Sequence, residues 1–326
     1  MVCGAMTAWV LALPVQAQGA VASKEATAAS ARWPQPVTSP KRVSIAGRGG
    51  SAGRYGVSRA RSADTSELAD MLDMDLQNGD WPAVGDSVTT DDQGPYVGVH
   101  HGNHIYVRND PKGVRLNGSI RKVLQFRTFD SDTGPTRNPR TQLDGPLMIK
   151  EGQEIWWGFA YLLPTGFPTE VERGRVQGDP FHTMGSIGSP NGGGSNRLGY
   201  GSYGGTWKFG VRYRNSGNWV WDMPREVNKW IDVVFRIKYK RDDTGFVEVY
   251  KNDGSGWSIQ TLDSYVGGGT RWTGQTTSGG FPKRPRIANY FLKDQYRHLG
   301  LDPVSIYFTE HKVATTFKRA KPHSYG

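Results

Sequence analysis

The stretch Tyr290-Phe291-Leu292-Lys293-Asp294-Gln295-Tyr296-Arg297-His298 gathers two tyrosines, a lysine, a glutamine, an arginine and a histidine into nine residues. Such groups can hold an anion, move a proton, or do both. On a regular strand, Tyr290, Leu292, Asp294, Tyr296 and His298 would share one face. Read alone, the same residues equally describe an edge strand that runs into a polar loop. Upstream, Arg137-Asn138-Pro139-Arg140-Thr141-Gln142-Leu143 sets two guanidinium groups near an apolar residue. Arginine is the side chain whose planar fork best grips a carboxylate. Gln177 and His182 follow a long strand pattern, and His182 stands between Phe181 and Thr183. Lys208, Arg212 and Arg214 alternate with Trp207, Phe209, Val211 and Tyr213, giving either a positive stripe on a sheet or a solvated outer face.

These residues need a scaffold, and the hydrophobic pattern supplies a β one. From Asp80 onward, short runs with period two are separated by Gly, Pro, Asn and Asp. The clearest strands are Lys122 to Phe129, Glu154 to Leu163, Trp207 to Tyr213, Trp230 to Tyr239, Phe246 to Tyr250 and Val304 to Phe308. In the fourth, Ile231, Val233, Phe235, Ile237 and Tyr239 face a core, while Asp232, Arg236 and Lys238 face outward. With neither a βαβ rhythm nor a fixed repeat, the pattern predicts an all-β, two-sheet β-sandwich of the jelly-roll type. Between Asp64 and Leu76, Leu68, Met71, Leu72 and Leu76 recur at helical spacing behind Thr65 or Ser66, which predicts a short helix. The Gly/Ser/Asn-rich segment Gly185 to Gly205 reads as a long loop or a lid over a groove. Its Gly188 to Gly194 portion lacks the lysine and the strand-loop-helix setting of a phosphate loop, so no nucleotide site is expected.

Residues 1–17 carry no charge, contain an apolar run from Ala8 to Leu13, and end in Val15-Gln16-Ala17. That pattern predicts a signal peptide, and with it a secreted, periplasmic or extracellular protein. The run is too short to span a bilayer, so no membrane insertion is expected. The sole cysteine, Cys3, falls inside this leader, so the exported protein has no cysteine nucleophile and no zinc-thiolate site. The formal charge of +10 suggests nucleic acid, but its distribution does not. Residues 18–63 hold eight Lys or Arg against Glu25 alone and read as a disordered basic linker. Residues 64–326 hold 32 basic and 29 acidic residues, so the expected folded domain is close to neutral and no nucleic-acid partner is predicted.

Arg140-Thr141-Gln142-Leu143, Pro180-Phe181-His182 and the Tyr290 to His298 stretch occur in the order of three motifs of β-jelly-roll polysaccharide lyases of the alginate-lyase type. Those motifs read Arg-Ser/Thr-Glu-Leu, Gln-Ile/Val-His and Tyr-Phe-Lys-Ala-Gly-Xaa-Tyr-Xaa-Gln. The chain also resembles heparin-lyase-like and glucuronan-lyase-like families in its layout, over roughly residues 75 to 318. It shares an aromatic strand leading to a Leu-Pro-Xaa-Gly-Phe step (Trp156 to Phe167), Trp230 to Phe235, and Tyr250-Lys251-Asn252-Asp253-Gly254. It departs from the motifs where Gln142 replaces an acid, where Pro180 replaces a glutamine for which Gln177 could substitute, and where Lys293 is displaced by one residue.

The resemblance implies a secreted lyase that removes the C5 proton of a uronate and expels the 4-oxygen of the next sugar, leaving an unsaturated end. Groups that neutralise the carboxylate favour the transition state over the ground state. The resemblance assigns Arg140 to that task with Gln177 or Gln142, Tyr296 to proton transfer, and His182 to an alternative base or orienting group. Arg137, Lys293, His298, Lys208, Arg212 and Arg214 are further candidates for holding a polyanion, and Tyr200 and Tyr203 for stacking on sugar rings. A tyrosine near a guanidinium would ionise more readily than usual. No cofactor is expected. Asp75, Gln77 and Asp80 fall where some relatives place a calcium-binding first strand, and Glu310 lies on the closing strand, but the pattern is too eroded to predict an ion. The partner expected is an anionic polysaccharide, and the protein is expected to be a monomer. Two alternatives share the groove: a noncatalytic carbohydrate-binding domain, and a glycoside hydrolase, which would need two carboxylates across the scissile bond.

Overall fold

The computed structural model describes residues 72–74, 76–77, 81–88, 98–101, 104–133, 138–167, 182–189, 194–200, 206–211, 218–224, 226–263, 267–277, 280–291, 296 and 301–325, with backbone alone at 194–200, 206–208 and 218. The expected leader and basic linker lie outside the described residues.

Period-two alternation builds two antiparallel sheets. In the first, β15 (Ser258–Ile259), β14 (Phe246–Asn252), β13 (Trp230–Lys238), β8 (Glu154–Leu162), β18 (Val304–Ala314), β6 (Lys122–Thr128) and β3 (Ile105–Asn109) follow one another. On this sheet β1 (Leu72–Asp73) pairs with β18, and β16 (Trp272–Thr273) with β14. The second sheet runs β12 (Asn218–Pro224), β11 (Thr206–Val211), β10 (Gly194–Tyr200), β9 (His182–Gly188), β17 (Arg284–Phe291), β7 (Arg140–Asp144) and β2 (Gly98–His100). A hairpin, β4 (Arg115–Leu116) and β5 (Ser119–Ile120), and a one-turn helix, α1 (Phe317–Ala320), complete the described elements. This is the β-sandwich that the alternation predicts, and the six expected strands correspond to β6, β8, β11, β13, β14 and β18, the last running on to Ala314.

The inward faces form one core. Trp157, Phe159, Ile231, Val233, Phe235 and Phe308 of the first sheet meet Leu143, Met184, Phe209, Val211, Ile287 and Phe291 of the second, all nearly inaccessible to solvent. Phe209 stacks on Phe235 with ring centres 4.1 Å apart. His311 of β18 lies within this core and accepts the Trp157 indole N–H at 2.8 Å. Burial lowers its pKa to about 3, so it is a neutral acceptor that satisfies an otherwise orphaned donor.

Three sequence expectations are corrected. Leu72–Asp73, at the end of the expected helix, is a strand paired with Val313 and Lys312, and Leu72, Met74 and Leu76 are all buried at a period of two; residues 64–71, including Leu68 and Met71, lie outside the described residues. The described part of the expected lid is the β9–β10 pair, and Gly185 and Gly188 of β9 reflect close packing. A Cβ on Gly185 would stand 3.0 Å from both Phe159 Cζ and Trp157 Cζ2. Asp232 does not reach solvent: Asn252 Nδ2 donates to it at 3.1 Å, the Ser324 hydroxyl bonds it, and burial followed by the nearby Glu310 pushes its carboxyl up to about 7.

Candidate active site on the second sheet

Alternation along β7 sends Thr141 and Leu143 inward and places Arg140, Gln142 and Asp144 on the outer face. The register then fixes their neighbours. Tyr290 stands opposite Arg140, Ala288 opposite Gln142 and Arg286 opposite Asp144, while the intervening Ile287 and Asn289 are buried. On the other side His100 of β2 stands opposite Gln142. Thr183 and Ser186 of β9 continue the rows from Tyr290 and Arg286.

Asp144 is the hub of this face. Arg286 Nε lies 3.0 Å from Oδ1, and Arg284 Nη1 and His100 Nε2 lie 3.5 and 3.8 Å from Oδ2. Gln142 Nε2 also donates to Asp144. Burial alone would raise its pKa, but His100, Arg286 and Gln142 outweigh that and hold it below the usual carboxylate range. Gly188 makes room for Arg286, since a Cβ there would stand 2.6 Å from Arg286 Nη1. The Arg286 pKa is lowered first by burial, which Asp144 opposes and Arg284 and Arg140 reinforce, so the three arginines act as one positive field. Among the described residues, the buried Nε atoms of Arg140 and Arg284 have no hydrogen-bond partner. The Tyr290 hydroxyl accepts the Asn138 amide at 2.7 Å. A guanidinium nitrogen shielded from water and lacking an acceptor suits an incoming carboxylate.

Beside this face lies a group of histidines that the sequence reading passed over. His104 Nδ1 lies 2.8 Å from Asp132 Oδ2 and His101 Nδ1 lies 3.7 Å from Asp132 Oδ1. His101 adopts φ +54°, a conformation uncommon outside glycine and concentrated at functional sites. Its pKa is lowered by burial, with Asp132 opposing and His104, His100 and Arg140 adding to the effect. A signal was present: His100-His101-Gly102-Asn103-His104 packs three of the chain's seven histidines into five residues. Arg284-Pro-Arg286, at period two on the strand that ends in Tyr290, was a second.

Of the sequence candidates, Arg140 and Gln142 share the outer face. Backbone pairing continues the Arg140–Tyr290–Thr183 row through Gly199 to Lys208. Tyr200 pairs with His182 and Trp207 in the same sheet. Arg137, Gln177, Tyr203, Arg212, Arg214, Lys293 and His298 lie outside the described residues.

His182 and Tyr296 lie elsewhere, which corrects the expectation that they join Arg140. His182 stands opposite Phe291 on the inward face, is fully buried, and donates from Nε2 to Asn289 Oδ1 at 2.8 Å. Its ring packs on Phe291 and Phe167, with centroids 4.4 and 5.6 Å away. Tyr296 is also buried, its ring edge-on to Phe291. Its hydroxyl lies 2.5 Å from the Thr128 carbonyl oxygen and 2.9 Å from Asp302 Oδ1, and accepts the Val304 N–H at 3.3 Å. No guanidinium eases its ionisation: burial, then Asp302, pushes the phenol pKa far above the usual tyrosine value. A strand that ended at Phe291 broke the assumed alternation, so Tyr290 and Tyr296 do not share a face.

Of the residues noted for calcium, Gln77 exchanges hydrogen bonds with the Lys122 backbone, and Glu310 accepts from the His323 backbone N–H; Asp75 and Asp80 lie outside the described residues. Among the described residues, no group of three or more His, Cys, Asp or Glu is placed to hold a metal ion.

Residues 99–270, more than half of the chain, match the family model described as polysaccharide lyase. The chain therefore belongs to the polysaccharide lyase family, and it is a β-jelly-roll enzyme of that class. Among solved structures it is similar to an endo-β-1,4-glucuronan lyase from the fungus Trichoderma reesei, at 15% identity and TM-score 0.48, over 70% of this chain and 94% of that one. It is also similar to a PL-14 alginate lyase from Aplysia kurodai, at 10% identity and TM-score 0.45, over 76% and 100%. A third similarity is to the catalytic domain of a glycoside hydrolase family 131 protein from Coprinopsis cinerea, at 12% identity and TM-score 0.44, over 71% and 86%. A search of curated proteins finds no match.

Proposed function

We propose that this lyase is exported and cleaves a uronic-acid-containing polysaccharide by β-elimination. The observation that carries this reading is the outer face of the second sheet. There Arg284 and Arg286 gather around Asp144, Arg140 adds its charge to the field that Arg286 feels, and a buried Nε of Arg140 still lacks an acceptor among the described residues. Arg140 binds the uronate carboxylate, with Arg286 adding to the positive field. The same field stabilises the second negative charge that builds up when the C5 proton leaves, which is when it contributes most. Tyr290 stands opposite Arg140, oriented by the Asn138 amide, and takes the proton role. In that role its phenolate accepts the C5 proton; C4 and C5 form a double bond, the C4–O4 bond breaks, and the resulting phenol returns the proton to the departing oxygen, restoring the phenolate. His100 and Gln142 hold the Asp144 hub in place. Export is supported by the uncharged, apolar N-terminal segment.

The test is to incubate the purified protein with alginate, polyglucuronate, heparin-type and pectic polymers and follow the ultraviolet absorbance of unsaturated uronate. A rise in absorbance with one of them is expected. New reducing ends without absorbance would mean hydrolysis, and binding without either product would mean a carbohydrate-binding domain.

A further inference from the structure

The outer face of the first sheet carries charge of two kinds. On β13, Arg236 is matched by acids: its Nε lies 2.8 Å from Glu154 and its Nη1 3.1 Å from Glu248. Near it, Arg271 meets Glu248 and Arg241 meets Glu151. At the opposite edge, Arg108 of β3 and Arg127 of β6 have no carboxylate partner among the described residues. Arg108 lies over the Tyr106 ring at 4.6 Å, and Arg127 lies 5.8 Å from that ring and 5.3 Å from Phe129. Arg108 is also held by Gln125 Oε1 at 3.1 Å and the Gly85 carbonyl at 3.3 Å, so it stands fixed in place.

This patch connects to the active site. Phe129 packs on His104 at 4.6 Å, and His104 stacks parallel to His101 at 6.5 Å. The segment from β2 to β3 joins the edge strands of the two sheets, so the line Arg108, Tyr106, Arg127, Phe129, His104, His101 passes around that shared edge toward His100 and Arg140. From Arg108 to Phe129, cations and flat rings alternate along one line, which suits a chain of sugars with a carboxylate on each residue: the rings stack and the charges pair.

We infer that Tyr106, Arg108, Arg127 and Phe129 form an auxiliary track that binds the same anionic polysaccharide several sugars away from the bond being cleaved. This rests on the polysaccharide reading of the second sheet's face and adds where a long substrate runs beyond it. The track raises affinity for long chains and leaves the chemical step untouched.

Arg127→Glu tests it, with Arg127→Gln as a milder variant and Arg127→Lys as the charge-preserving control. The measurements are retention in gels containing polyglucuronate or alginate, and KM for those polymers against short oligosaccharides prepared from them. Losing one guanidinium contact and gaining repulsion should raise KM for the long polymer by about three- to thirtyfold, with kcat and the constants for short oligosaccharides unchanged and Lys recovering most of the loss. Unchanged retention and KM for long polymers in Glu and Gln variants that melt as the wild type would overturn the track. An equal loss on short and long substrates would do the same, because it would place Arg127 at the bond being cleaved. If the wild type binds but cleaves none of the polymers, the elimination reading fails while the retention comparison still decides the track.

Discussion

Tyr290 and Tyr296 stand six positions apart on one segment, and His100 and His182 belong to strands of one sheet, yet each pair is divided by that sheet. Tyr290 and His100 are partly exposed and look onto a field of arginines. Tyr296 and His182 are sealed in the interior, where every contact described is with a neutral polar group, an aromatic ring or the Asp302 carboxylate. The interior pair belongs to a network: Asn289 Nδ2 donates to the Val304 carbonyl at 2.8 Å, the Thr128 hydroxyl donates to the Asn289 carbonyl at 2.7 Å, and Thr128 and Thr141 hydroxyls meet at 2.8 Å. Thr141 lies between Arg140 and Gln142 in sequence, so the buried network anchors the strand whose opposite face carries the site. The same residue types therefore serve two tasks, and what separates them is the partner each one meets.

The sharpest way to break this contrast is a paired substitution. Tyr290→Phe should lower kcat/KM by about 10²- to 10⁴-fold with little change in melting, as loss of a proton-transfer group does. Arg140→Ala should lower it by about 10²- to 10³-fold. Tyr296→Phe should act on the other scale: it leaves buried partners unsatisfied, costing about 1–3 kcal/mol in denaturant unfolding, with activity per folded molecule retained. If Tyr296→Phe instead removes activity from a stable protein while Tyr290→Phe is active, the proton role returns to Tyr296 and the two faces exchange assignments. The smallest effect belongs to Gly188→Ala. Its new methyl collides with the Arg286 guanidinium and should shift it off Asp144, raising KM by about two- to fivefold. No change in KM would show that Arg286 can move freely and contributes little to the substrate field.

The fold was legible because burial on one face imposes a period of two, which Ile231, Val233, Phe235 and Ile237 of β13 keep even though Asp232 and Val234 between them are buried as well. Arg140 and Gln142 were legible for the same reason, and because they fall in the first of the three motifs that the chain resembles. The rest depended on events that a linear pattern does not record. The end of β17 at Phe291 changed which tyrosine faces the arginines. A bulge between the pairs at Ile287 and Tyr290 in the β17–β9 ladder leaves His182 opposite the buried Phe291. Glycines at 185 and 188 looked like a mobile segment, whereas one accommodates two aromatic rings and the other a guanidinium. Arg286 and His100 depend on cross-strand register with Asp144 and Gln142, which joins residues far apart in the chain.

The place of β18 bears on how the molecule is made. It lies in the middle of the first sheet, where Phe308 meets Leu124 of β6 on one side and Tyr161 of β8 on the other. Both partners are synthesised long before it, so until β18 emerges each presents an open strand edge with nothing to pair with. Closing contacts across so many residues is slow, and open edges in the interval invite pairing with other chains. Yield of this protein in a heterologous host should therefore depend on what shields β6 and β8 during that wait more than on the stability of the finished sandwich.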